Sequence, residues 1–440
     1  MTAIRGVRPQ TGRHATPLSA YFWLLLFITL YFLRPEEWIP GLAVIPVEKI
    51  TGLLALAGFG LGLLVSSQRF RHMPRETLYL ILLFGQLCLT IPFALWRGGS
   101  FHVVFYVFVK VVLISIAIAL AVDTWPQLRR LLFVQACAVP VLAAAALARH
   151  QTDREGRLVG VGHAFDNAND FSFLISLTLP LCFAFLLSTR RPLAKAAWVL
   201  AMATMGAAIM LTASRQGLMA AAISLGFCLW EFGIKGRRVY LVLLATVVAV
   251  GVLAVARPGR LMKRVASTFA DADSSTYEST QIRKMILKES LAAALEHPLF
   301  GVGPGNFTVI SGVWRVAHNS FTEMAAEGGL PALILFLMIL YRGLANVASL
   351  KRGPTDKESD MKLLATALQA SLVTFVIGGL FSSWEYQYMP YLLVAYSTAF
   401  YRIAGPQQTP KPGSVGAPKW GKSYLRYQGQ RTSSRAWSAS

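Results

Sequence analysis

Apolar runs of roughly 17–25 residues recur along almost the whole chain, each about the length a helix needs to cross ~30 Å of hydrocarbon. No water inside a bilayer can satisfy free backbone groups, so only helices and closed barrels span it. The runs are continuous rather than alternating in short segments, which excludes a β-barrel. The fold expected is therefore all-α, a polytopic integral membrane protein. Composition agrees: 14% of residues are charged, against about 25% in a soluble domain, and the mean hydropathy is +0.52.

Twelve spans are expected, at 18–33, 43–65, 77–95, 101–122, 129–148, 169–188, 193–213, 216–233, 239–256, 322–344, 362–383 and 387–403. Arg5, Arg8 and Arg13 precede the first run, and no small-residue cleavage site follows it, so it reads as a retained span rather than a removed signal peptide. With the N-terminus inside, the inner loops carry Arg69, Arg71, Arg75, Arg129, Arg130, Arg190, Arg191, Lys195, Lys235, Arg237, Arg238, Arg342, Lys351, Arg352, Lys357 and Lys362. The short outer connections carry only Arg34, Arg97, Arg149, Arg154, Arg157 and Arg215. That bias fits the positive-inside rule and places the longest polar interval, 257–321, on the outer face between the ninth and tenth spans. The remaining divisions are an inner segment 1–17, spans one to nine over 18–256, spans ten to twelve over 322–403, and a tail 404–440.

The net charge of +21 suggests nucleic acid until the charges are located. Those beyond the spans lie in a Pro-, Gly- and Ser-rich tail (Lys411, Lys419, Lys422, Arg426, Arg431, Arg435) whose composition predicts disorder. Such a tail has no fold with which to read bases, and its expected contact is anionic lipid. Cys88, Cys137, Cys182 and Cys228 sit singly inside apolar runs, with neither metal-ligand nor disulfide spacing.

The outer interval opens with Arg257, Arg260, Lys263 and Arg264 and passes through an acidic, hydroxyl-rich patch from Asp271 to Glu278. Ser275 and Glu278 have capping-box spacing and predict a helix from Thr276. Ile282, Met285 and Ile286 are expected on one side of it, with Arg283, Lys284 and Lys288 off that side, and Pro298 ends it. Gly301, Gly303 and Gly305 then predict a turn of close backbone approach.

Three features stand out against the apolar background. Arg215 lies in a very short outer connection, Thr212 to Gly217, where it is either an interfacial arginine snorkelled to headgroups or a guanidinium that forks onto phosphate. Arg283 is either on a solvated helix face or at an anion site. His318-Asn319 opens the tenth span, and an imidazole there can accept a hydroxyl proton. Gly160–Asp170, with Asp166, Asn167 and Asn169, either caps the sixth span or hydrogen-bonds a sugar. Glu323 and Glu327 are lesser candidates. Lys49 and Lys110 fall within apolar runs, where a charge invites a functional reading, and Glu48 and Glu385 could pair with them. No P-loop, zinc motif, nucleophile elbow or acidic metal cluster is present, which disfavours ATP-driven transport and metal-assisted hydrolysis.

The order of these elements resembles the O-antigen ligase / O-antigen polymerase superfamily. The residues concerned are Ser214-Arg215-Gln216-Gly217, Arg283, Pro298 through Phe307, His318-Asn319, and Glu327-Gly328-Gly329, with an asparagine-rich outer segment at Asp166–Asp170. Arg34 to Trp38 is reminiscent of an O-glycosylation ligase-like sub-group. The resemblance implies an inverting, metal-independent glycosyltransferase of the bacterial inner membrane, without cofactor, whose site faces the periplasm. Its implied partners are a lipid-linked oligosaccharide on undecaprenyl diphosphate and a glycolipid, polysaccharide or protein acceptor hydroxyl. It implies His318 as base and Arg215 and Arg283 as holders of the diphosphate, with Asn319, Asn169 and Glu327 as further substrate-binding candidates. Repeat-unit polymerisation and protein O-glycosylation use the same donor and stay open, and a transporter or flippase is the reading from a different class.

Overall fold

The structure, a computed structural model, describes residues 20–35, 47–65, 73–161, 165–243, 245–247, 250, 274–312, 315–351 and 360–404. Among them the regular structure is helical, with one isolated bridge, Thr152 to Leu158. The helices are α1 (Ala20–Leu33), α2 (Val47–Val65), α3 (Arg75–Thr90), α4 (Arg97–His102), α5 (Val109–Ala121), α6 (Trp125–Arg149), α7 (Ala168–Ser188), α8 (Pro192–Leu211) and α9 (Arg215–Cys228). After them come α10 (Ser274–Glu296), α11 (Phe307–Ile310), α12 (Ser320–Lys351), α13 (Asp360–Gly378) and α14 (Tyr388–Ala404). A π-helical segment, Val103–Phe108, joins α4 to α5.

Eight helices among the described residues are long and apolar enough to cross a membrane: Arg75–Phe93, Arg97–Ala121, Trp125–Arg149, Ala168–Ser188, Pro192–Leu211, Arg215–Ile234, Ser320–Leu350 and Asp360–Phe381. The expected first and second spans are present as shorter apolar helices, Tyr21–Leu33 and Ile50–Gly60. The expected twelfth coincides with α14, and half of the ninth lies outside the described residues, as do the basic cluster 257–264, the inner segment 1–17 and the tail after Ala404.

The bundle is built around α7, whose apolar residues surround it on every side and are buried along almost its whole length. It packs against α9 and α13. The close approach to α9 depends on Gly217: a Cβ there would stand 2.1 Å from Ser172 Oγ. Small polar side chains pin these helices, Ser176 Oγ to the Gly217 carbonyl at 3.1 Å and Ser371 Oγ to the Leu177 carbonyl at 2.7 Å.

Helix ends expected on the inner side gather at one end of the bundle. Arg342 pairs with Glu76 at 2.9 Å, Arg129 with Asp360 at 3.0 Å and Arg402 with Asp123 at 3.2 Å. Ends expected outside meet at the other: Ser214 reaches Asn169, Trp384 reaches Asp170, and Ser320 reaches the Ser382 carbonyl.

The polar interval packs its helix α10 against the outer part of α12. That helix is described from Ser274 and ends at Glu296, before His297-Pro298. Ile282 and Ile286 face inward as expected, with Ser290 and Ala293 following at helical spacing, whereas Met285 is 40% exposed. The correction is one of phase: Met285 lies about 100° round the helix from Ile286, and the protein contacts the strip through 282, 286, 290 and 293.

α12 is interrupted at Gly329, whose φ of 79° and ψ of 174° leave the helix. The glycine turn fills the interruption. Val302 N–H donates to the Ala326 carbonyl at 2.8 Å, Gly303 N–H to the Glu327 carbonyl at 3.0 Å, and Leu330 N–H to the Pro298 carbonyl at 2.8 Å. Backbone groups freed at membrane depth are thus paired within the protein, the condition on which a bilayer tolerates a broken helix.

Candidate functional site

Arg215 is presented by a turn whose threonine and serine hydroxyls are engaged locally, Thr212 donating to the Ile209 carbonyl at 2.6 Å. Ser214 is the N-cap of α9; its hydroxyl accepts from Gly217 N–H at 3.0 Å and donates to Asn169 Oδ1 at 2.7 Å. Asn169 in turn has its N–H on Asn167 Oδ1 at 2.9 Å, the cap of α7. Asn167 is therefore the cap that the sequence offered as one reading of this segment, while the Asn169 side chain ties the outer ends of α7 and α9 together.

Arg283 projects from the border of α10's inward strip. Burial, and then the guanidinium of Arg215, lower its proton affinity below the usual arginine range. Two like charges on separate elements are thus held close enough to feel one another through a medium of reduced dielectric, an arrangement that favours an anion between them.

His318 lies just before α12 in the left-handed region, φ 52°, which lets the chain turn sharply into the helix. Asn319 is the cap, its Oδ1 accepting from Phe321 N–H at 3.0 Å and Thr322 N–H at 3.2 Å. Burial, then the charges of Arg283 and Arg315, push the imidazole of His318 down to about 4. It is neutral at ordinary pH and able to accept a proton. Arg315 joins this group on electrostatic grounds.

Glu327 is buried and holds the glycine turn. Its Oε2 accepts from Gly305 N–H at 2.8 Å and from the Tyr386 hydroxyl at 2.9 Å, and its Oε1 from Phe307 N–H at 2.9 Å. Glu323 accepts from Ala317 N–H at 3.1 Å and from the Ser383 hydroxyl, which fixes the backbone immediately before His318.

No acidic cluster is visible in the sequence, yet the fold assembles one. Ligand oxygens of Glu323, Glu327 and Glu385 lie within 4.8 Å of one another. Burial, then the carboxylates of Glu323 and Glu327, raise the acid of Glu385 well above the usual carboxylate range. By position these three could take a metal, but the oxygens of Glu327 are already occupied by N–H and O–H donors. The linear pattern missed the cluster because Glu385 comes from a separate connection, Ser382–Gln387. That connection also supplies Trp384, whose indole donates to Asp170 at 2.7 Å, and Tyr386. The cue available was a run of serine, aromatic and acid in an otherwise apolar chain.

Lys110 faces outward from the bundle and lines no interior path. The side chains of Glu48 and Lys49 are outside the described residues. Just below the Arg215 turn, a cavity of about 270 Å³ opens between α7, α8 and α9, lined among others by Leu179, Phe183, Met202, Ile209, Met210 and Leu218.

The arrangement offers two guanidinia for an anion, a neutral imidazole beside them, and an apolar cavity alongside. Residues 200–337 match the family model described as O-Antigen ligase, an interval that contains Arg215, Arg283, His318 and Glu327. No curated protein matches the chain. The match supports the O-antigen ligase superfamily, a membrane glycosyl-transfer family of the ligase/polymerase type.

Proposed function

We propose that the chain transfers a glycan from a polyprenyl-diphosphate carrier to an acceptor hydroxyl at the outer edge of the bacterial inner membrane, on its periplasmic side. The observation that carries this reading is the grouping of Arg215, Arg283 and His318, from three separate elements, at the helix ends that gather opposite the inner ion pairs.

In this reading the neutral imidazole of His318 takes the proton of the acceptor hydroxyl. The oxygen bonds to the anomeric carbon from the face opposite the diphosphate, and the carbon–oxygen bond to phosphate breaks, the electron pair leaving with the diphosphate. Configuration at that carbon inverts. Arg215 and Arg283 hold the charge that develops on the leaving group, the task for which fixed cations in a dry site are most effective. The apolar cavity below Arg215 is suited to the first isoprene units, which places the diphosphate at the guanidinia without lifting the lipid out of the membrane. Asn169, Asn319 and Glu327 act in this scheme by fixing the three presenting segments.

The test is a surface-glycan profile of a deletion strain complemented with the natural chain or with His318→Ala. Loss of a polymeric glycan in the deletion, restored only by the natural chain, is the expected result and names the acceptor class. Full restoration by His318→Ala, inserted at normal levels, removes the base assignment.

A further inference from the structure

Helix α10 has a second apolar strip that none of the described residues covers. Leu287, Leu291 and Leu295 follow four apart, at about 100°, 140° and 180° round the helix from Ile286, and exposed Leu299 comes four residues later, past the helix end. Leu295 is 77% exposed and Leu299 63%. A helix with apolar residues on both sides is not an ordinary loop helix, whose outer face should be polar.

The depth of this strip is set by α3. The Gln86 side chain donates to the Leu299 carbonyl at 2.8 Å and to the Gly328 carbonyl at 3.1 Å. Gln86 lies seven residues before Phe93, the end of that membrane-crossing segment, or about 10 Å deeper at 1.5 Å per residue. Leu299 is therefore held below the end of a spanning helix. Phe300 then stacks on Phe93, ring centroids 4.3 Å apart. Phe93 itself ends an exposed apolar line on α3 that includes Leu78, Leu82 and Leu89, the face such a helix turns to lipid. The leucines of α10 thus continue a surface already committed to hydrocarbon. Lys284 and Lys288 lie on the same face, seven residues before Leu291 and Leu295, where ammonium groups reach headgroups while their stems stay apolar.

We propose that α10 and the turn from Pro298 to Phe300 are seated in the outer leaflet of the bilayer, leucines down and lysines at the phosphates. The same helix turns Arg283 toward Arg215, so lipid fixes the height of one guanidinium relative to the membrane surface. This seating stands on contacts with α3 and does not depend on the chemistry proposed above.

Full-length protein with Cys88, Cys137, Cys182 and Cys228 replaced by alanine is spin-labelled at Leu291→Cys or Leu295→Cys, in vesicles of phosphatidylglycerol and phosphatidylethanolamine. Collision with oxygen is expected to exceed collision with a water-soluble nickel chelate, corresponding to a depth of about 5–10 Å. Preferential collision with nickel at both positions overturns the proposal. So does shielding from both reagents, which indicates a protein partner or a second copy. A photocrosslinking residue at Leu295 in the otherwise natural chain needs no cysteine replacement. It should add the mass of a phospholipid, and attachment to another protein chain, or to water alone, overturns the seating equally.

Discussion

Glu327 and Tyr386 meet through a 2.9 Å hydrogen bond, one from the opening of α12 and the other from the connection before α14. Together with the N–H groups of Gly305 and Phe307, that bond gives the carboxylate three donors and no competing acceptor. Glu327→Gln turns an amide NH2 toward a donor and leaves a buried group unpaired. A loss of about 1–3 kcal/mol is expected, more than for Tyr386→Phe, which removes one hydroxyl. Thermal unfolding of the two variants in one detergent checks the order, and equal stabilities would show that Glu327 does not hold the turn.

His318 must be neutral to accept a proton. With its imidazole near 4, transfer should be insensitive to pH between 7 and 5 and fall as pH drops through about 4. Arg315→Gln removes one of the charges that oppose protonation, so the imidazole moves up toward its ordinary value and the acid limb shifts to higher pH. Initial rates across pH in proteoliposomes test this, and an unmoved limb would separate either Arg315 from the imidazole or the imidazole from the rate.

Arg215→Lys keeps the charge but loses the planar fork. One hydrogen bond to a charged group is worth about 1.5–3 kcal/mol, so a drop of roughly 10–100-fold in kcat/KM for the lipid donor is expected. Arg283→Gln should do the same and also raise the imidazole of His318, since Arg283 is the largest charge acting on it. A donor KM unchanged in both variants would count against a diphosphate site.

Gly217→Ala drives a methyl into Ser172 and should spread α7 from α9, destabilising the protein by about 1–3 kcal/mol. Combining it with Ser172→Gly vacates that space and should recover much of the loss. Failure of the second change to rescue would mean that the helices do not approach as described.

Arg342→Ala strands Glu76, which is 5% exposed and, among the described residues, keeps Asn346 as its side-chain partner. Removing one member of a buried pair costs about 3–5 kcal/mol, less here because Arg342 is partly exposed, whereas replacing both members with apolar residues is often near neutral. A thermal-shift comparison of the single and double replacements decides it.

The all-helical fold is legible from the sequence because hydrocarbon imposes a length and forbids free backbone; of the twelve spans expected, eight helices among the described residues have the length and apolarity to cross. The candidate site was legible in a different way: Arg215 stands in a very short connection between two apolar runs, His318 at the mouth of another, and Arg283 was singled out with them by the order of the motifs. What the linear pattern could not show depends on contacts between distant segments. Glu385 reads as an isolated acid until Ser382–Gln387 folds against α12, and Gln86 reads as a tolerated polar residue until the Leu299 carbonyl arrives. The misplaced Met285 has a different origin, since an apolar residue on a helix with two apolar strips cannot be assigned to either from spacing alone.

The interrupted helix also orders assembly in time. Residues 298–303 leave the ribosome before Gly329 does, so the segment that seals the break is made before the break itself. A graft that exchanges the outer interval between related chains while keeping the recipient's α12 would part the plug from its socket. The transplantable unit runs from Pro298 through Leu330, not from one membrane boundary to the next.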